Sequence, residues 1–190
     1  MTIQPIETHY AGCRFRSRLE ARWAVFFDVL GIRWEYEPQG YVLPSGPYLP
    51  DFQLFGLGGD GCRCGATFIW FEVKPPTGAS DYDKRWTELA ESTGLPLIVA
   101  FGMPRPDGDM ICSDDYGTNW MDLFEADGGD NNRAFCTCAV CGKLGITYEG
   151  RSGRVCAHGA DDHGTSANDE RILSAYRAAR SARFEHGESG

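Results

Sequence analysis

Asp51, Glu72 and Lys74 are charged residues set in apolar runs. Asp51 follows Pro50 in Tyr48-Leu-Pro-Asp-Phe-Gln-Leu-Phe55, and Glu72 and Lys74 end Thr67-Phe-Ile-Trp-Phe-Glu-Val-Lys74. Each run has the length and the alternating or dense apolar character of a half-buried or buried strand. Residues two apart share a strand face, so Glu72 and Lys74 project together. Two carboxylates and an ammonium on adjacent strands make a cation site with a lysine beside it. Phosphodiester hydrolysis needs a cation that polarises the phosphate and a nucleophilic water close by. Mg2+, or Mn2+ in its place, keeps several waters and takes one or two carboxylates. Asp51 and Glu72 would be its ligands, with the Val73 backbone carbonyl a third. Lys74 would orient the attacking water or stabilise charge on the phosphoryl oxygens. The structural alternative is a cross-strand ion pair at a sheet surface.

A second chemistry lies in the cysteines, which are Cys13, Cys62, Cys64, Cys112, Cys136, Cys138, Cys141 and Cys156. Without an evident secretory signal, close pairs are expected to be metal ligands before disulfides. Cys138-Ala-Val-Cys-Gly142, followed by Cys156, resembles a zinc ribbon or knuckle, in which two thiolates of one turn converge on a tetrahedral Zn2+. The expected structural Zn2+ ligands are Cys138, Cys141 and Cys156, with His158 (or Cys136) as the fourth and His163 farther along. A small unit with little core would draw its folding energy from that metal. Cys62 and Cys64 could join Cys112 in a second site or remain free thiols. A catalytic cysteine is disfavoured, since His9 is the sole histidine of the first half and is expected at the surface.

These groups need a scaffold. Phe15, Leu19, Trp23, Phe26 or Phe27 and Leu30 recur at helical spacing, predicting a helix over about 14–30 capped by Gly31. Glu20 lies in it among Arg16, Arg18 and Arg22, where the default is a solvated carboxylate in helical ion pairs. Ile32 to Glu37 alternates as a first strand stopped by Pro38, and Gly40 to Pro44 is a short extended piece. A glycine-rich stretch, residues 56–65, reads as an elongated hairpin loop between the two apolar strands. Ser80 with Asp83 predicts a helix over about 81–92, and Leu95 to Phe101 a buried strand. A short helix is expected over 119–125 and a linker over 127–132. The tail, about 168–184, is helical, with Ile172, Leu173, Tyr176 and Ala179 on one stripe. The expected division is a first domain over 1–126, a zinc-binding module over 133–164 and a C-terminal helix and tail over 165–190.

The chain has 190 residues, and its 42% hydrophobic and 13% aromatic content argue against disorder. No apolar run reaches the roughly 18 residues of a membrane span, so a cytoplasmic protein is expected. A net charge of −9 weakens a nucleic-acid reading, because phosphate neutralisation supplies most non-specific affinity. Local basic surfaces can coexist with it. Arg14, Arg16, Arg18 and Arg22 form one basic cluster, and Arg171, Arg177, Arg180 and Arg183 a second.

A helix with an acidic residue, strands carrying Pro50-Asp51 and Glu72-Val73-Lys74, then a helix and a strand resemble the PD-(D/E)xK nuclease superfamily. The run from Phe15 to Pro38 also resembles uncharacterised actinobacterial and phage proteins, and the likeness covers about residues 8–102. It implies an α/β (α+β) fold: a restriction-endonuclease-like core of mixed sheet flanked by helices, here with a small zinc-binding module and a C-terminal helix. It further implies a Mg2+-dependent DNA nuclease, an endonuclease leaving 5′-phosphate ends, in the cytoplasm of a bacterium or a phage-infected host. Asp51 and Glu72 would be ligands, Lys74 the catalytic lysine and Glu20 the superfamily's additional acidic residue. Arg14, Arg16, Arg18, Arg177 and Arg180 would meet DNA phosphates. Pro75 departs from the small residue often found after the lysine. The alternative function is a non-catalytic adaptor on the same fold, binding nucleic acid or protein.

Overall fold

The computed structural model describes residues 7–59, 68–76, 83–104, 121–125, 128–148, 155–156 and 165–184. The chain opens with a hairpin, β1 (Thr8–Tyr10) and β2 (Cys13–Phe15), then α1 (Arg18–Leu30) and β3 (Trp34–Tyr36). A second hairpin, β4 (Tyr41–Leu43) and β5 (Gly46–Tyr48), precedes β6 (Phe52–Phe55) and the two-residue β7 (Gly58–Gly59). Next come β8 (Phe68–Lys74), α2 (Arg85–Thr93), β9 (Leu97–Phe101) and β10 (Met121–Glu125). The rest is β11 (Gly128–Cys138), β12 (Leu144–Tyr148), β13 (Thr165–Ser166) and α3 (Glu170–Ser181). The fold is therefore mixed α+β, with helices on a mixed sheet.

Helix α1 begins at Ser17, whose side chain accepts the Glu20 N–H, and stops at Gly31, whose left-handed φ of 69° returns its N–H to Asp28 and Phe27. It starts later than the periodicity suggested because residues 13–15 pair as β2. One face buries Trp23, Phe26 and Phe27 against the sheet. Phe27 meets Phe71 at 5.1 Å between ring centroids, and Phe26 meets Phe135 at 4.9 Å and Tyr176 of α3 at 4.6 Å. Helix α3 lays Ile172, Ala175, Tyr176 and Ala179 into the same core. On the opposite face Trp86, Leu89 and Ala90 of α2 pack with Leu43 and Tyr48 of the second hairpin over Trp70, Leu97 and Val99. The sheet is thus covered on both sides.

The strand order is β3-β6-β8-β9-β10-β11-β12-β7, with β13 also on β11. Strands β8 and β9 run parallel, as do β12 and β7, and the other pairs are antiparallel. Phe55 and Gly58 are three residues apart, a reach of at most about 11 Å. Across a flat sheet the path from β6 to β7 would be about 29 Å. The sheet is therefore curled back on itself around the aromatic core.

Two expectations are corrected here. Residues 121–125 form strand β10 between β9 and β11, not a helix. Residues 128–132, expected as linker, are the first half of β11, pairing Glu125 with Gly128 and Leu123 with Asp130. Backbone ladders use main-chain groups alone, so a polar composition does not prevent them when an open strand edge is available. Phe135, Ile146 and the α3 stripe share one core cluster with Phe27 and Phe71. The sequence between Cys136 and Cys156 carries little apolar mass because it borrows that core. Helix α2 begins at Arg85, after Asp83 accepts the Arg85 N–H; Ser80 lies outside the described residues.

Candidate active site and metal centre

The site follows from unequal strand lengths. The last β6–β8 pair is Phe52 with Phe71, so Val73 and Lys74 extend beyond their neighbour. Asp51 sits at that step, and its Oδ2 accepts the Val73 N–H at 2.8 Å, a carboxylate replacing a missing strand partner. The N–H and C=O of a strand residue share an edge, so the Val73 carbonyl faces the same gap. Glu72 Oε2 accepts the Asp51 N–H at 3.2 Å, and its Oε1 pairs with the Lys74 ammonium. The Asp51 and Glu72 side chains are buried, whereas Lys74 is about one-third exposed at 35%. The structure therefore brings Asp51, Glu72, Lys74 and the Val73 backbone together.

Glu20 approaches from α1. Its Oε1 accepts the Ser17 hydroxyl at 2.7 Å, and its Oε2 accepts the Tyr36 hydroxyl at 2.5 Å and the Arg16 N–H at 3.1 Å. It is buried rather than solvated, and its hydrogen bonds make it first a helix cap. Ser17-Arg-Leu-Glu20 spells that capping box, a signal readable in the sequence. Arg16, expected on DNA, lies inside the site: its Nη2 donates to Asp51 Oδ1 at 3.0 Å and its Nε pairs with Glu37 at 2.5 Å. Tyr36, Glu37 and Tyr48 have no local sequence signal, and proximity alone recruits them.

Burial pushes the Asp51 carboxyl well above its ordinary value, and the charges of Glu72 and Glu20 push it further. The Val73 N–H and Lys74 oppose this. Burial likewise raises the Tyr48 phenol, which also faces Glu72, Asp51 and Asp83. Burial works against the charged Arg16, yet Tyr36, Asp51 and Glu37 hold it protonated. The region has more buried negative charge than the protein compensates, as an oxygen-ligated divalent cation would require.

The thiols form a second cluster. Strand β11 ends at Cys138, and the chain turns so that the Gly142 N–H reaches the Cys138 carbonyl at 2.8 Å, with Gly142 at a φ of 69°. The backbone N–H groups of Cys141 and Val140 lower the Cys138 thiol to about 6, favouring thiolate. Cys141 Sγ lies 3.6 Å from Cys156 Sγ, and the sulfurs of Cys138, Cys141 and Cys156 all lie within 4.8 Å of one another. Tetrahedral zinc with 2.3 Å bonds separates its sulfurs by about 3.8 Å, so these three can hold a metal such as zinc. Among the described residues this is the one such acid, thiol or imidazole group of three or more. Cys136 stays outside it, with its sulfur against Thr147 Oγ1 at 3.3 Å and the Gly145 carbonyl. His158, His163, Cys62, Cys64 and Cys112 lie outside the described residues.

The arginines separate by partner. Arg14 pairs with Glu7, Arg177 with Glu170 and Arg171 with Asp169. Arg22 donates to the carbonyls of Ala179 and Arg180 at 2.7 Å, closing the end of α3. Burial lowers the Arg22 pKa, and the charge of Arg18 lowers it further. Among the described residues Arg18, Arg180 and Arg183 have no carboxylate partner. Among them too, no helix is long and apolar enough to cross a membrane. Compared with family models, curated proteins and solved structures, the chain matches none.

Proposed function

We propose that the chain is a Mg2+- or Mn2+-dependent nuclease that hydrolyses DNA phosphodiester bonds at Asp51, Glu72 and Lys74. One observation carries this reading: two buried carboxylates and a lysine meet where β8 outruns β6, with the Val73 carbonyl edge facing the same gap. Asp51 and Glu72 would hold the cation with the Val73 carbonyl. When bound, the cation would supply charge neutralisation and polarisation of the scissile phosphate. Lys74, anchored by Glu72, offers N–H donors to the attacking water and to the phosphoryl oxygens. Burial at Asp51 keeps competing water away from the ligand oxygens. Glu20 holds Tyr36 and the Arg16 backbone in place and acts as a positioning residue. The thiol cluster would bind a structural Zn2+, with His158 as a candidate fourth ligand. Arg18, Arg180 and Arg183, near α1 and the end of α3, would meet substrate phosphates.

The test is cleavage of plasmid and oligonucleotide DNA with Mg2+ or Mn2+. Asp51→Asn is expected to abolish turnover, and Lys74→Met to lower it by about 10² to 10³, both with unchanged circular dichroism. Metal-independent DNA binding with no cleavage by the wild-type chain would select the adaptor function instead.

A further inference from the structure

The two oxygens of Asp51 have different partners. Oδ2 is committed to the Val73 N–H at 2.8 Å, leaving Oδ1 as the oxygen an incoming cation would take. Arg16 occupies it, with Nη2 at 3.0 Å. The Arg16 backbone is fixed, because its N–H lies 3.1 Å from both Glu20 Oε2 and the Tyr36 hydroxyl. Its side chain is 56% exposed, so the guanidinium has solvent on one side and Asp51 and Glu37 on the other. A second carboxylate waits beside it: Glu37 pairs with Nε, and the Glu37 N–H donates to the Asp51 carbonyl at 2.8 Å. Glu37 adopts a left-handed backbone, φ 46°, which is costly for a non-glycine residue and here turns the chain beside the site.

We propose that Arg16 is the resident counter-ion of the metal-free site, leaves Asp51 Oδ1 when a divalent cation enters, and is retained by Glu37. This rests on the cation-site reading above. A guanidinium 3.0 Å from the ligand oxygen repels an incoming divalent cation and draws on the same carboxylate charge, so loading the site is a competition. In the metal-free chain the guanidinium offsets buried charge, and after exchange it stands at the rim of the site, still held by Glu37. Arg16 thereby sets the cation concentration at which the site fills.

The test measures Mn2+ binding by the paramagnetic resonance of free Mn2+, on full-length zinc-supplemented protein, with Asp51→Asn as the background for binding elsewhere. Arg16→Gln is expected to tighten Mn2+ binding about tenfold, since a full charge leaves the ligand oxygen. Arg16→Lys is expected to tighten it about twofold, because an ammonium cannot span Asp51 and Glu37 as a guanidinium does; this variant suffices if Arg16→Gln does not fold. Glu37→Gln is expected to weaken binding about threefold, an effect lost in the Arg16→Gln background, as a double-mutant cycle would show. Unchanged or weaker binding in both Arg16 variants overturns the counter-ion role while leaving the cation site standing. Binding no greater than Asp51→Asn in every variant overturns the cation site and this proposal with it.

Discussion

Asp51 concentrates the electrostatic cost of the site. It is buried, faces Glu72 and Glu20, and its carboxyl titrates above the ordinary 3.8. A raised carboxyl pKa means that the folded chain binds its proton more tightly than the unfolded chain. The associated stability is complete below the unfolded value and is lost as pH rises through the folded value. Asp51→Asn removes that charge, and although an amide with one acceptor oxygen loses one of the two hydrogen bonds accepted from Val73 and Arg16, the relief of burial is expected to win. Without divalent cation the variant should melt higher than wild type, by on the order of 1 kcal/mol near neutral pH, with the difference vanishing toward pH 4. Excess Mn2+ should reverse the order, because the wild-type site is then occupied. Thermal melts at four pH values, with and without Mn2+, check the sign. A variant less stable at every pH would show that the hydrogen bonds to Arg16 and Val73 outweigh the charge.

Among the elements, α1 and the β6–β8 step carry the site. Ser17 caps α1 and also donates to Glu20, which in turn fixes Tyr36 and the Arg16 backbone. Ser17→Ala should cost about 1 kcal/mol as a lost N-cap. It should also loosen the Tyr36–Glu20 contact, which hydrogen exchange at the first turn of α1 would report. A cost with no change in exchange there would confine Ser17 to helix stability. At the strand step, the seven residues of β8 against the four of β6 leave Val73, paired with Ala100 of β9 on one side, without a β6 partner on the other. Asp51 is the side chain in position to supply one. Sheet construction and site construction are the same event at that point.

For the whole molecule, the curled sheet makes the N- and C-terminal halves one cooperative unit. Phe135 of β11 lies 4.9 Å from Phe26 and 6.3 Å from Trp23, and α3 covers α1. Phe135→Ala is expected to cost about 3 to 5 kcal/mol, and a chain ending at residue 126 should fail to fold, as urea titration would show. A soluble, cooperatively melting 1–126 fragment would contradict the shared core. Chelation should act at a distance, because Cys138 ends the strand that carries Phe135. Removing zinc should lower the melting temperature and shift the tryptophan emission of the entire chain, in a single transition rather than two. A separate low-temperature transition would mark the thiol turn as an independent unit.

The strands around Asp51 and Glu72, the Gly31 stop of α1, the alternation of residues 32–37, the α3 stripe and the Cys138–Cys141–Cys156 set were all legible in the residues. Apolar period, turn chemistry and ligand spacing are local properties, and short-range sterics and hydrogen bonding impose them wherever the segment lies. Folding over long separations added the rest. The strand at 121–125 and the extension through 128–132 exist because open sheet edges offered main-chain partners, which composition does not encode. Cys136 faces Thr147 and Gly145 because the β11–β12 register places it there. Arg16 resembled a surface phosphate contact until the approach of Glu37 and Asp51, 35 residues away, made it part of the site. Asp51, visible in the sequence, acquires its raised carboxyl pKa and its counter-ion from neighbours that only chain closure supplies, because charge interacts through space and not along the backbone.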